Sequence, residues 1–189
     1  MVDHEKLRKG IKRVAWGYFF IYFNLNIGSV SMTPAFVGYL FMLSAIGLLK
    51  SEVRDLELLP AMGRVLAAWH GFQWVASLFG QSLDGLWQFA DILIGLVNIY
   101  FHFQLLTGLA VIARRYQPEG DHRDVELLRY RTVQTVVLTG VEVILWLCPR
   151  EQTLWAVVSV GLVLVYLIVG FCLMCTLFGL SGCLGRREG

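Results

Sequence analysis

From Leu154 to Leu180 the chain carries no charged residue. A bilayer core about 30 Å thick needs roughly 17–25 apolar residues per helix, so this run is long enough to cross it. It is the last of six apolar segments, read as helices at about 14–29, 33–49, 59–80, 87–112, 130–148 and 154–182. Charged residues make up 16% of the 189 positions and hydrophobic ones 57%, against about 25% charged in soluble domains. The expectation is an all-α polytopic integral membrane protein: one bundle of six transmembrane helices over 14–182, a basic N-terminal stretch at 1–13 and a C-terminal tail at 183–189.

The distribution of charge orients that bundle. Lys6, Arg8, Lys9, Lys12 and Arg13 precede the first segment, Lys50 and Arg54 follow the second, Arg114, Arg115 and Arg123 follow the fourth, and Arg186 and Arg187 follow the sixth. The alternate connections carry only Arg150. Positive-inside logic therefore places both termini in the cytoplasm, with outer turns near 29–33, 81–86 and 149–153. The count depends on the third segment crossing. Its Arg64, His70 and Gln73 also suit an amphipathic helix lying in the interface. KLRKGIKRVAWGYFF imitates a secretory signal, but no small-residue cleavage site follows and a second apolar segment comes at once, so it reads as an uncleaved first span. Trp87 and Trp155 fall where an outer aromatic belt is expected.

Polar residues interrupt the first apolar region in FNLNIGSVSMTPAFVGYL, Phe23 to Leu40. Gly28, Ser29, Ser31 and Thr33 have turn chemistry, and Thr33-Pro34 reads as N-cap and first helical residue of span two. Asn24 and Asn26 need partners, either on neighbouring helices or in a cavity opening outward. With its asparagine-bearing first span and P-x-F-x-G-Y helix start, the stretch Phe23–Leu49 resembles a group of small polytopic membrane proteins of Gram-positive bacteria. That resemblance implies a bacterial plasma-membrane setting and carries over no catalytic or binding residue.

Ionisable groups inside spans cost on the order of 2.5–3.5 kcal/mol each on insertion scales, which makes them the first candidates for function. Asp91, Asn98 and His102 lie within about 40° of one another on one helical face. Arg131, Thr135, Leu138 and Glu142 form a comparable stripe on the fifth segment. If the two stripes face each other, a polar seam runs from Asp91 and Glu142 inward to His102 and Arg131, with Asn24 and His70 as further polar candidates. Simple helix-to-helix hydrogen bonding is the competing account of each residue. Cys172 and Cys175 form a CxxC without a second ligand pair, Cys183 is a possible acylation site, and Gly161, Gly170, Gly179 and Gly182 lighten the last segment without a GxxxG inside it.

No cofactor, metal set or soluble-enzyme motif is legible. Three readings follow: a protein that binds or moves a small solute or ion through the seam, alone or as a transporter component; a non-transporting scaffold or interaction subunit; and an intramembrane enzyme. The partners expected are the lipid bilayer and either other membrane subunits or further copies of the chain, with the basic N-terminus contacting anionic lipid and not nucleic acid.

Overall fold

The computed structural model describes residues 4–23, 26–27, 30–31, 34–50, 52–53, 56–79, 88–147 and 153–185. Among them are six helices: α1 (His4–Tyr22), α2 (Ala35–Leu49), α3 (Leu59–Leu78), α4 (Gln88–Tyr116), α5 (Arg123–Leu147) and α6 (Thr153–Gly185). Two short strands, β1 (Asn26–Ile27) and β2 (Val30–Ser31), pair antiparallel between α1 and α2, with Asn26 opposite Ser31 and Ile27 opposite Val30. Asn24, Gly28, Ser29, Thr33, Arg54, Trp87, Cys148, Arg150, Arg186 and Arg187 lie outside the described residues, as do the turn at 81–86, all but Thr153 of the turn at 149–153, and the side chain of Trp155.

Several boundaries differ from the sequence reading. The first helix begins at His4 and not near residue 14, because the basic stretch is amphipathic: Leu7, Ile11, Val14, Ala15, Tyr18 and Tyr22 are buried at helical spacing. Lys6, Arg8, Lys9, Lys12 and Arg13 point outward between them, and Glu5 pairs with Lys9 one turn on at 2.6 Å. At its other end α1 stops at Tyr22, short of residue 29, and a β-turn ribbon replaces the expected plain turn. Pro34 is the N-cap position, with φ −68° and ψ 133°, and the helix starts one residue later at Ala35. Most of the polar RRYQPEGDHRDVE connection is helical, ending α4 and beginning α5. Only 117–122 turns the corner. Asp121 N–H donates to Pro118 O at 3.1 Å across a tight turn, and Gly120 supplies the positive φ of 83° that its third position requires.

The helices close a ring in chain order, each packing on its neighbours and α6 returning onto α1. The closest approach joins α1 and α2. A Cβ built on Gly17 would lie 2.8 Å from the carbonyl oxygen of Gly38, and one on Gly38 would lie 2.6 Å from that of Gly17, so two bare backbones touch. Side-chain contacts gather one end of five of the helices together. His4 meets Tyr116 edge-on, Tyr116 Oη donates to Glu52 at 2.8 Å, Gln117 binds Asp124, and Arg123 reaches Cys183 at 3.1 Å. The start of α1, the end of α2, the end of α4, the start of α5 and the end of α6 therefore share one end, which is also the basic end of the bundle.

Among the described residues, two helical stretches qualify by length and composition to cross a membrane: Phe89–Tyr116 and Val160–Leu184. The shortfall in the other four has identifiable causes. With 15 residues, α2 is apolar but only about 22 Å long. Polar residues interrupt the rest: Arg and Lys through the first half of α1, Arg64, His70 and Gln73 in α3, and Arg129, Arg131, Gln134 and Glu142 in α5. Large apolar residues nonetheless face outward on most of the ring, including Val65, Phe72 and Val75 on α3, Leu93 and Leu96 on α4, Val136 and Val143 on α5, and Val157, Val160, Leu164, Ile168 and Phe171 on α6.

Candidate functional site

The buried His102 does not lie in the expected seam; it belongs to an aromatic and imidazole cluster inside the ring. His102 on α4 is 1% exposed, and its Nδ1 lies 3.1 Å from the Tyr18 hydroxyl on α1. The Tyr39 hydroxyl on α2 donates to Asn98 Oδ1 on α4 at 2.8 Å, one turn from His102. His70, from α3, lies flat on Tyr39, with centroids 5.2 Å apart and planes 4° from parallel. Phe101 edges against both Tyr39 and His102. Tyr18 continues to Tyr22, whose ring meets Tyr166 of α6 at 4.3 Å. Gly170 makes that last contact possible, since a Cβ there would occupy the Tyr22 ring. Five of the six helices thus contribute to one stack.

His102 cannot be fully satisfied by this stack. If Tyr18 donates to Nδ1, the neutral ring carries its proton on Nε2, a buried donor; if Nδ1–H donates to Tyr18, Nε2 is a buried acceptor. In either tautomer Nε2 has no hydrogen-bond partner among the described residues. A buried polar atom left this way costs about 1–3 kcal/mol.

The sequence-derived residues divide into two groups. Glu142 on α5 packs directly against the α4 backbone at Gly95, one turn from Asp91, and the two carboxylates act on each other electrostatically. Asn98 and His102 turn instead to α2 and α1. The reason is the ring: the inward face of α4 looks across at α1 and α2, while its flank at Gly95, Phe103 and Thr107 meets α5. Arg131 accordingly lies over the Phe103 ring, 4.4 Å from its centroid, and its Nη1 donates to Thr107 Oγ1 at 3.0 Å. Thr135 spends its hydroxyl on the Arg131 carbonyl, 2.8 Å away. A single seam joining Asp91, Glu142, His102 and Arg131 is therefore replaced by an acid pair far from the basic end, a central cluster and an arginine towards the basic end.

Residues that sequence reasoning passed over are Tyr18, Tyr22, Tyr39, Tyr166 and Gln134. A tyrosine inside an apolar run reads as an interface or core residue; the available signal was the four-residue spacing of Tyr18 and Tyr22 on the buried face of α1. Gln134 is 1% exposed, and neither amide atom has a partner among the described residues. Among those residues no three His, Cys, Asp or Glu side chains are grouped to hold a metal ion. Cys172 is half-buried and Cys175 exposed on α6. The stack therefore leaves His102 Nε2 open to one further hydrogen bond, beside the hydroxyls of Tyr18 and Tyr39 and the Asn98 amide.

No protein-family model, curated protein or solved structure matches the chain.

Proposed function

We propose that the protein is a multi-pass membrane protein that binds a small polar solute at the Tyr18–His102–Tyr39–Asn98 stack, as a carrier or a component of one. The observation that carries this reading is the fully buried His102 with one ring nitrogen held by Tyr18 and the other without a hydrogen-bond partner among the described residues. Ionisable side chains buried in an apolar bundle are retained where they bind or relay. Membrane residence is supported by the outward apolar faces, since soluble monomers rarely expose continuous apolar surface beyond a few hundred Å². All six helices cross in this reading, the β1–β2 ribbon extending the short α1–α2 pair, and both termini lie in the cytoplasm on the basic side. The bacterial plasma membrane is the setting proposed from the resemblance of residues 23–49.

Native mass spectrometry of the protein extracted gently from its own membrane tests the reading. A small-molecule adduct on the wild type that is lost in both Tyr18→Phe and Asn98→Leu supports it. A stoichiometric protein partner with no small-molecule adduct would sink it and favour an interaction subunit.

A further inference from the structure

The basic end of α5 holds a second polar group that the central stack does not use. Arg131 is anchored twice, on the Phe103 ring and on Thr107, and Thr107 is itself fixed by donating to the Phe103 carbonyl at 2.7 Å. Among the described residues it makes no ion pair. Glu142, the acid of the same stripe, is about 16 Å further along α5 and packs on Gly95. Among the described residues Arg131 Nε is buried and has no hydrogen-bond partner, and one turn on, Gln134 is buried with neither its amide nitrogen nor its amide oxygen hydrogen-bonded. A half-buried guanidinium with no counter-charge among those residues, one helical turn from a fully buried amide with no hydrogen bond to them, is an expensive arrangement unless something binds there.

The atoms left over define the ligand. Arg131 Nε–H and the Gln134 amide N–H are donors that recognise an oxyanion, and a guanidinium with fixed orientation favours phosphate or carboxylate. Gln134 Oε1 is an acceptor and calls for an O–H on the same ligand. The level fits as well, because the exposed charged residues of α5, Glu126 and Arg129, lie before this height, and the exposed residues beyond it, Val133, Val136 and Val143 among them, carry no charge. In a membrane protein that change marks the headgroup boundary. We infer that Arg131 and Gln134 form a binding site for a hydroxyl-bearing phosphate, either free phosphate or the headgroup of a glycerol phospholipid. Only the lipid arm rests on the membrane reading above, and the site shares no residue with the His102 stack.

Two arms separate the sources. In the first, purified protein in a nonionic detergent is titrated with inorganic phosphate, with sulfate at matched ionic strength as the oxyanion without a hydroxyl, and thermal stabilisation is read. In the second, native mass spectrometry follows retention of phosphatidylglycerol against phosphatidylcholine. Both use the wild type, Gln134→Leu, and Arg131→Lys, which keeps the charge but lacks the Nε donor. For free phosphate, stabilisation exceeds that by sulfate, and either substitution weakens apparent binding by roughly ten-fold or more. For a headgroup, the wild type keeps phosphatidylglycerol selectively through delipidation and both variants lose it. Equal responses of wild type and both variants in the two arms overturn the proposal, and a wild type that answers sulfate and phosphate alike, with no lipid preference, overturns the hydroxyl requirement. Loss of the His102-dependent adduct leaves either result unchanged.

Discussion

Substituting alanine for Gly38 tests whether the α1–α2 crossing is as close as the backbones imply. The added Cβ would lie 2.6 Å from the Gly17 carbonyl oxygen and 2.7 Å from Ile21 Cγ1. Ordinary Cβ contacts begin near 3.4 Å, so the first of these demands a displacement of up to about 0.8 Å. Ile21 can rotate away; a helical carbonyl cannot, so the two helices must separate. Overpacking of this kind costs about 1–3 kcal/mol, and alanine's better helix propensity returns up to about 1 kcal/mol. Gly47, on the same helix, has nothing within 4 Å of the position its Cβ would take. Gly47→Ala receives the propensity gain without the clash, so propensity cancels between the two variants and Gly38→Ala should be the less stable by about 1–3 kcal/mol. The unfolding free energy of each is measured by SDS titration in mixed micelles, followed by tryptophan fluorescence. Equal stabilities, within about 0.5 kcal/mol, would refute the close crossing.

Other outcomes follow from the same contacts. Tyr18→Phe removes the only hydrogen-bond partner of His102 among the described residues and should cost about 1–3 kcal/mol, while in a double-mutant cycle with His102→Phe the losses should fall short of additive, since the second change removes the orphaned imidazole. Glu142→Gln removes a like charge from beside Asp91 while keeping the packing on Gly95; SDS titration should show unchanged or raised stability, and a clear loss would mean that the carboxylate is held by a cation. Asp124 is held below the ordinary carboxylate range chiefly by the Gln117 amide, which donates to Oδ1 at 2.8 Å. Because its folded value is the lower one, this contact stabilises above the unfolded carboxylate range and is lost as pH falls through the folded value. An NMR titration of Asp124 should move upward in Gln117→Ala. In a Cys148→Ala background, an impermeant thiol reagent should label Cys183 in inside-out vesicles and not in right-side-out ones; the reverse pattern would contradict cytoplasmic termini.

What could be read from the residues, and what could not, has a physical basis. The long helix α6 announces itself because its apolar run is continuous, and α4 because its few polar residues are outweighed by apolar ones over its length; the number of helices follows from the turn chemistry between runs. The extent of α1 was hidden because lysines and arginines were weighed as a charged stretch, although Leu7, Ile11 and Val14 recur among them at helical spacing. Asn98 and His102 were recognisable as lying on one face of α4; which neighbour that face meets depends on ring closure, a property of six helices together and not of any one. Gln134 was invisible for a different reason. A glutamine is unremarkable in a helix, and only its complete burial without a partner sets it apart.

Closure in chain order also bears on biosynthesis. Five of the six helix contacts in the ring join segments that leave the ribosome one after the other, so each can dock as soon as its predecessor is in place. The exception is α6 against α1, where Gly170 receives Tyr22. Until α6 arrives, α1 presents Tyr18 and Tyr22 along an open side of the ring. Two helices far apart in the chain thus meet last, and the interior that holds His102 is sealed only once α6 has been made.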